Sequence, residues 1–492
     1  MAQISMGRVP EHYATSWPDR VALVYGDTAL TWSAFAERVA RRAHGLKALG
    51  VGVGDIVTIA MPNGTEFLET TYAALRLGAT PNPVPAKMPM AELKAIVELA
   101  KPKLIVGVER DQWPGWQTVS QDWVGQISAG ELGDETAPYW KAMTSGGSTG
   151  RPKLIVSRAP GVVDLDIPNP LIDTGTGSTC SLIPGPLYHN GPFLTAMMSL
   201  NQGRRTVGLK RFDPEEMLRL IETHRADWLY QVPTMMSRVW ALPKEVRERY
   251  DVSSLQRVLH LAAPCPAWLK EAWIGWLGPE RVWELYGGTE GQGFTLISGT
   301  EWLSHKGSVG KFFNAAVKIL DEVGRELPPR QIGEVFMLPQ SGAGSTYHYV
   351  GAEARAHGEY ESLGDMGWLD EEGYLYLADR RTDLILRGGA NIYPAEVEAA
   401  IDEHPSVASA VVIGLPHDDL GAQVHAIVQL KPGAAGVTDE EALKAFLKER
   451  IASYKIPTSF EFVDDFLRDE AGKVRRAALR AERLAARGQE RR

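Results

Sequence analysis

Residues 143–156 read MTSGGSTGRPKLIV, a run in which three glycines, two serines and two threonines precede a single lysine. Glycine lets a backbone approach a ligand closely and turn its N–H groups inward. The hydroxyls add neutral donors and Lys153 adds a point charge, a combination suited to a polyphosphate. The spacing departs from the Walker pattern, which needs glycine, four residues and then Gly-Lys-Ser/Thr. Here Arg151 and Pro152 separate Gly150 from Lys153, which excludes a P-loop kinase or GTPase. Taken alone, the stretch also fits a flexible Gly/Ser linker.

The elements around this loop alternate. In residues 29–64, Thr31 or Ser33 can cap a helix with apolar residues at helical spacing, Gly50 can end it, and DIVTIAM reads as a short buried strand. Residues 65–85 repeat the helix, closed by Gly78, and residues 91–108 repeat helix then strand. A second alternating run follows the loop: STCSLIPG, DPEEMLRLIETHRADWLYQVP, LQRVLHLAAP, PAWLKEAWIGWLG and RVWELYGGTEG. Such alternation predicts α/β layers with mostly parallel strands. From Ser308 to about Asp379 strands shorten and turn residues multiply, which predicts a smaller β-rich subdomain. After DRRTDLILRGG the pattern resets into an α+β unit of about 110 residues.

The bulk numbers narrow the function classes. The chain has 492 residues, 44% hydrophobic and 23% charged, an ordinary globular composition. A net charge of −9 suits neither non-specific nucleic-acid binding nor a polybasic surface. Cys180 and Cys265 are the only cysteines, so a reducing, cytoplasmic location is expected. The opening residues lack an apolar signal core and no apolar run reaches about 18 residues, so no integral membrane contact is expected.

SGGSTGRPK resembles the phosphate loop of the adenylate-forming superfamily, which includes acyl- and aryl-CoA synthetases, luciferases and peptide-synthetase adenylation domains. YGGTE at 286–290 resembles its Tyr-Gly-x-Thr-Glu segment. LGDMGWLDEEGYLYLADRRTDLILRGGANIYPAEVE resembles its aspartate and hinge region, and ASYKIP and EAGKVRR its last two motifs. They occur in the superfamily's order over nearly the whole chain. The resemblance implies a large N-terminal lobe at 1–381, of layered α/β subdomains plus the β-rich one, and a small mobile α+β C-terminal domain at 382–492. It also implies ATP, Mg²⁺ and coenzyme A: a carboxylate attacks the α-phosphate, and then a thiol displaces AMP from the acyl-adenylate.

Residue by residue, the resemblance implies that Ser145, Gly146, Gly147, Ser148, Thr149, Gly150 and Lys153 cradle phosphate. Leu154 replaces the glycine usual after that lysine. Thr289 would contact the α-phosphate and Glu290 would hold Mg²⁺, unless YGGTEG is only a tight turn. Asp365 would accept the ribose hydroxyls beside Arg380, or the two form a surface turn pair. Tyr286 would stack on adenine, with Ala262, Ala263 and Pro264 as the other wall. Lys473 would bridge carboxylate and α-phosphate, the alternative being a solvated lysine in a basic tail. His189 would stand at the acyl-pocket mouth, or be a hydrogen-bonded structural histidine. Thr382 occupies the pivot where relatives have Asp or Lys, and Gly388 and Gly389 would admit pantetheine. Arg475, Arg476 and Arg480 are candidates for the phosphates of coenzyme A, or a solvated helix face.

GPLYHNGPF, YQVPTMMSRVW and TEWLSHKGSVG look most similar to bile-acid and steroid-side-chain CoA ligases. The expectation is therefore an AMP-forming ligase for a bulky hydrophobic acid, with Trp268, Trp273, Trp276, Met235 and Met236 as an apolar wall or as helix core. Fatty or aryl acids, and a separate carrier protein as acceptor, are the alternatives. A homodimer is left open. Retention of Thr289, Glu290, Asp365, Arg380 and Lys473 argues against a non-catalytic nucleotide sensor.

Overall fold

The computed structural model describes residues 3–109, 113–125, 131–146, 152–174, 180–387, 390–417, 420–431, 433–434, 438–469 and 472–490. The alternation read from the sequence is present. Thr31 caps the Trp32–Ala48 helix by accepting from the Ala34 N–H, and Ile56–Ile59 follows as a strand. It pairs in parallel with Thr80–Pro83 and Leu104–Val106, and Thr118–Val119 extends this sheet. The helix between them, Thr65–Arg76, is buried along its length save for Glu66, so its Glu69 carboxylate must be paired. Arg42 Nε supplies that partner at 2.9 Å.

The larger sheet changes character along its width. Val21–Tyr25, Arg205–Gly208, Cys180–Ile183, Trp228–Gln231, Arg257–Leu261 and Val282–Gly287 are parallel neighbours in that order. Beyond Val282–Gly287 every pairing is antiparallel, through Phe294–Ser298, Ser308–Phe312, Leu375–Arg380, Tyr360–Leu369, Gly333–Pro339 and Ala315–Leu320. The β-rich subdomain is thus continuous with the α/β sheet. The turn after Gly287 lies where parallel pairing gives way to antiparallel.

A third, antiparallel sheet holds the glycine-rich hairpin: Ala142–Gly146 pairs with Pro152–Ser157, which pairs with Tyr347–Val350. Towards the C-terminus, Val407–His417, Gly421–Leu430 and Ser459–Val463 form a sheet covered by the helices Pro394–Asp402 and Glu440–Lys448. Ile385, Ile392, Val397, Val412, Val424 and Leu447 make a hydrophobic cluster there that is separate from the main core. Among the described residues no helix is long and apolar enough to cross a membrane.

Candidate active site

The hairpin fixes Lys153. Ser145 stands opposite Lys153 and Gly146 opposite Pro152 in the hairpin register. Gly147, Ser148, Thr149 and Gly150 lie outside the described residues, and of Ser145 and Gly146 only the backbone register is described. Leu154, which stands where relatives have glycine, packs in a core cluster with Leu93, Ile96 and Val97. Tyr349 pairs with Ile155 from the other side. Lys153 Nζ lies 3.8 Å from the centre of the Tyr349 ring and 3.6 Å from Glu290 Oε1. Burial lowers the pKa of Lys153, and Glu290 opposes that.

Glu290 is held by the turn after the Val282–Gly287 strand. The Gly291 N–H donates to the Gly288 carbonyl at 3.1 Å, and Gly291 has a φ of 70°. A Cβ at Gly288 would meet Leu363 Cδ1 at 2.5 Å and Glu290 Oε2 at 2.8 Å, so any larger residue there must displace the Glu290 carboxylate or the Leu363 side chain. YGGTEG is a tight turn and also carries the cleft carboxylate. Glu290 is buried, and the Tyr349 hydroxyl donates to its Oε1 at 2.6 Å. Burial raises the Tyr349 pKa, with Glu290 adding to the rise, so this hydroxyl keeps its proton. Among the described residues no cluster of three or more His, Cys, Asp or Glu could hold a metal. One buried carboxylate, completed by phosphate oxygens and water, is a donor set that fits Mg²⁺.

Asp365 and Arg380 are cross-strand partners, with Arg380 Nε 3.3 Å from Asp365 Oδ1. The Tyr286 hydroxyl donates to Asp365 Oδ2 at 2.7 Å. Both oxygens are oriented by protein and keep lone pairs for hydroxyl donors. The Tyr286 pKa is raised, first by burial and then by Asp365. Ala262 has a φ of 76°, unusual for a residue with a Cβ, and opens the Ala262-Ala263-Pro264 turn.

The C-terminal segment closes on this turn. A Cβ at Gly472 would lie 3.0 Å from Thr234 Oγ1 and 3.7 Å from Ala263 Cβ. The next residue, Lys473, is anchored by its N–H to Asp469 Oδ1 at 2.9 Å. Its side chain keeps contact with solvent. The surrounding protein lowers its pKa, while Asp469 and Glu290 oppose this. His189 shares that field: burial depresses its pKa to about 3, and Lys473 and Arg475 add to the fall. Its Nε2 is buried with no hydrogen-bond partner among the described residues, unlike a satisfied structural histidine. At neutral pH His189 is therefore an uncharged ring with a free polar atom.

Several expectations fall differently. Arg476 bonds Asp383 Oδ2 at 3.0 Å and Glu398 Oε1 at 2.6 Å, so it is committed to protein carboxylates and not held out for coenzyme A phosphates. Arg475 lies 3.9 Å from Glu92, and Arg480 is exposed. Met235, Met236 and Trp273 are sealed in the main core, Trp276 packs edge-on against Trp273, and Trp268 is exposed. Thr382 sits in a turn closed by the Asp383 N–H to the Arg380 carbonyl at 3.0 Å. Gly388 and Gly389 lie outside the described residues.

Three residues escaped the sequence reading: Tyr349, Lys141 and Asn190. Lys141 is buried, and its Nζ donates to Asn190 Oδ1. Burial pushes its pKa down to about 7, with Glu290 opposing. The available signal was a lysine between Trp140 and Ala142, directly before the strand Ala142–Gly146.

Comparison with known proteins agrees with this geometry. Residues 10–346 match the family model described as AMP-binding enzyme, and residues 396–473 the one described as AMP-binding enzyme C-terminal domain. A feruloyl-CoA synthase of Amycolatopsis is 32% identical, the match covering 98% of this chain and 99% of that one. A 2-succinylbenzoate–CoA ligase of Bacillus licheniformis is 31% identical over 94% of this chain and 97% of its own. The Bacillus subtilis O-succinylbenzoate coenzyme A synthetase solved with ATP and magnesium superposes with a TM-score of 0.79 at 28% identity, covering 97% of this chain and 100% of that one.

Proposed function

We infer the substrate from one premise: the chain belongs to the AMP-binding enzymes, and it is an ATP-dependent, AMP-forming ligase that joins a carboxylic acid to coenzyme A. We propose that the acid is an aryl acid. The relatives named for feruloyl and 2-succinylbenzoate groups, 32% and 31% identical over nearly the whole chain, carry this reading. They favour the aryl alternative over the bile-acid or sterol type. The sealed packing of Met235, Met236 and Trp273 points the same way, because it removes most of the expected broad apolar wall.

The roles follow from the cleft. Lys153 and the hairpin backbone meet the outer phosphates. Asp365, oriented by Tyr286 and Arg380, accepts ribose hydroxyls. Thr289, in the Glu290 turn, faces the α-phosphate. As the carboxylate oxygen bonds to the α-phosphorus and pyrophosphate departs, Lys473 keeps an ammonium beside the oxygens that gather charge. Mg²⁺ held at Glu290 supplies further neutralisation of the phosphates. His189, with its pKa pushed down to about 3, is uncharged and too weak a base to take up a proton at neutral pH. It positions the acid. In the second half, sulfur bonds to the acyl carbon and AMP leaves. For that half we assign the pantetheine path to Gly388 and Gly389 and the pivot to Thr382, with domains at 1–381 and 382–492. The separate hydrophobic cluster around Ile392 and Val412 supports that division.

The test is pyrophosphate release with ferulate, 2-succinylbenzoate, cholate and palmitate, each with and without coenzyme A. Highest kcat/KM with an aryl acid, and a thioester product, are expected. Preference for cholate overturns the aryl reading. Adenylate that accumulates without thioester redirects the acceptor to a carrier protein.

A further inference from the structure

Lys141 stands directly before the strand Ala142–Gly146, in buried surroundings. Its neighbours Trp140, Ala142 and Met143 are buried, and Lys141 itself is 6% exposed. An ammonium carries three donors. Among the described residues the hydrogen-bond acceptor for this one is Asn190 Oδ1, and no carboxylate lies within 4.0 Å. Its other contact is the face of the Trp140 ring, 4.7 Å away. A buried cation left with so little compensation is unfavourable unless a ligand completes it.

The surroundings say where that ligand enters. Asn190 begins the Asn190–Asn201 helix, whose N-cap residue is His189 and whose end has no side-chain cap. The buried Nε2 of His189 has no hydrogen-bond partner among the described residues. Lys141 feels the charge of Glu290, and His189 feels that of Lys473, so the group borders the reacting cleft. The phosphate-facing Lys153 is engaged elsewhere, against Tyr349 and Glu290.

We propose that Lys141, with Asn190 and His189, forms an oxyanion subsite for the acid substrate, the ammonium holding a carboxylate oxygen. This rests on the ligase reading above. A carboxylate there would supply the counter-charge that the fold withholds, and the uncapped helix start adds partial positive charge. Burial brings the Lys141 pKa down to about 7, and a carboxylate beside it would raise it again.

The test replaces the charge and keeps the length, with Lys141→Met. KM for the acid is expected to rise at least about tenfold while KM for ATP stays within about twofold. Ferulate has one carboxylate and 2-succinylbenzoate has two. Loss with both acids identifies the reacting carboxylate as the bound group; loss with 2-succinylbenzoate alone identifies the second one. Unchanged acid KM for both overturns the subsite. Asn190→Asp guards against a folding failure, because an internal carboxylate would occupy the ammonium and raise acid KM in an intact protein. An unchanged KM there also refutes the proposal. Wild-type enzyme that turns over no carboxylic acid refutes the ligase reading itself, whereas wild-type turnover with unaltered variants refutes the subsite alone.

Discussion

The Tyr349 hydroxyl lies 2.6 Å from Glu290 Oε1 and its ring lies beneath the Lys153 ammonium. One side chain thus joins the glycine-rich hairpin to the turn that carries the cleft carboxylate. A hydrogen bond to a charged group contributes about 1.5–3 kcal/mol. Tyr349→Phe should therefore raise the Mg²⁺ concentration for half-maximal pyrophosphate release by about ten- to a hundredfold. A Mg²⁺ titration at saturating ATP measures it, and an unshifted midpoint contradicts the role.

The role proposed for Lys473 belongs to one half-reaction. Lys473→Ala should slow adenylate formation by a factor of about a hundred or more, yet leave coenzyme A transfer from preformed acyl-adenylate within a few-fold of wild type. Single-turnover assays of each half decide this. Equal loss in both refutes the division.

Asp402 gives the C-terminal unit a pH dependence. Burial pushes its pKa from 3.8 up to about 7, with Arg468 opposing and Glu398 reinforcing. Its Oδ1 has no hydrogen-bond partner among the described residues. The folded protein then holds a proton that the unfolded chain gives up near the lower value. This contribution is complete below the unfolded pKa and is lost as pH rises through about 7. Asp402→Asn should raise Tm at pH 8 and leave it little changed near pH 4. Thermal melts across that range test the slope.

The Arg42–Glu69 pair is buried on both sides, with Arg42 also donating to the Trp123 carbonyl at 2.7 Å. Glu69→Ala strands the guanidinium and should cost about 3–5 kcal/mol in urea denaturation. Arg42→Met with Glu69→Leu should recover most of it. A single variant as stable as wild type would mean that the pair is dispensable.

Local periodicity made the α/β lobe legible. Strands such as Leu104–Val106 are continuous apolar runs because both faces are covered, and Thr31 announces its helix through a cap that needs only three residues. Glu290, Asp365, Arg380 and Lys473 stood out in the sequence because their motifs keep family order, and the structure brings them near enough for their charges to act on one another. What stayed hidden depends on remote pairing. Nothing in HYV at 348–350 says that this strand returns to the hairpin at Leu154 and Ile155, so Tyr349 was invisible. Arg476 looked free because Asp383 is 93 residues away. Ala267–Leu277 is apolar round much of its circumference, so its sequence does not tell which tryptophan faces core and which faces water.

Arg476 clasps Asp383, the residue after Thr382, and also Glu398, which takes the Val412 N–H at 2.8 Å. The tail bearing Lys473 is thereby riveted to the near end of its own domain. On the pivot proposed at Thr382, rotation about the turn at 380–383 would carry that ammonium as a crank carries its handle, at a fixed radius. Retreat of the lysine and arrival of the proposed path at Gly388 and Gly389 would then be one event, and severing Arg476 would let the two fall out of step.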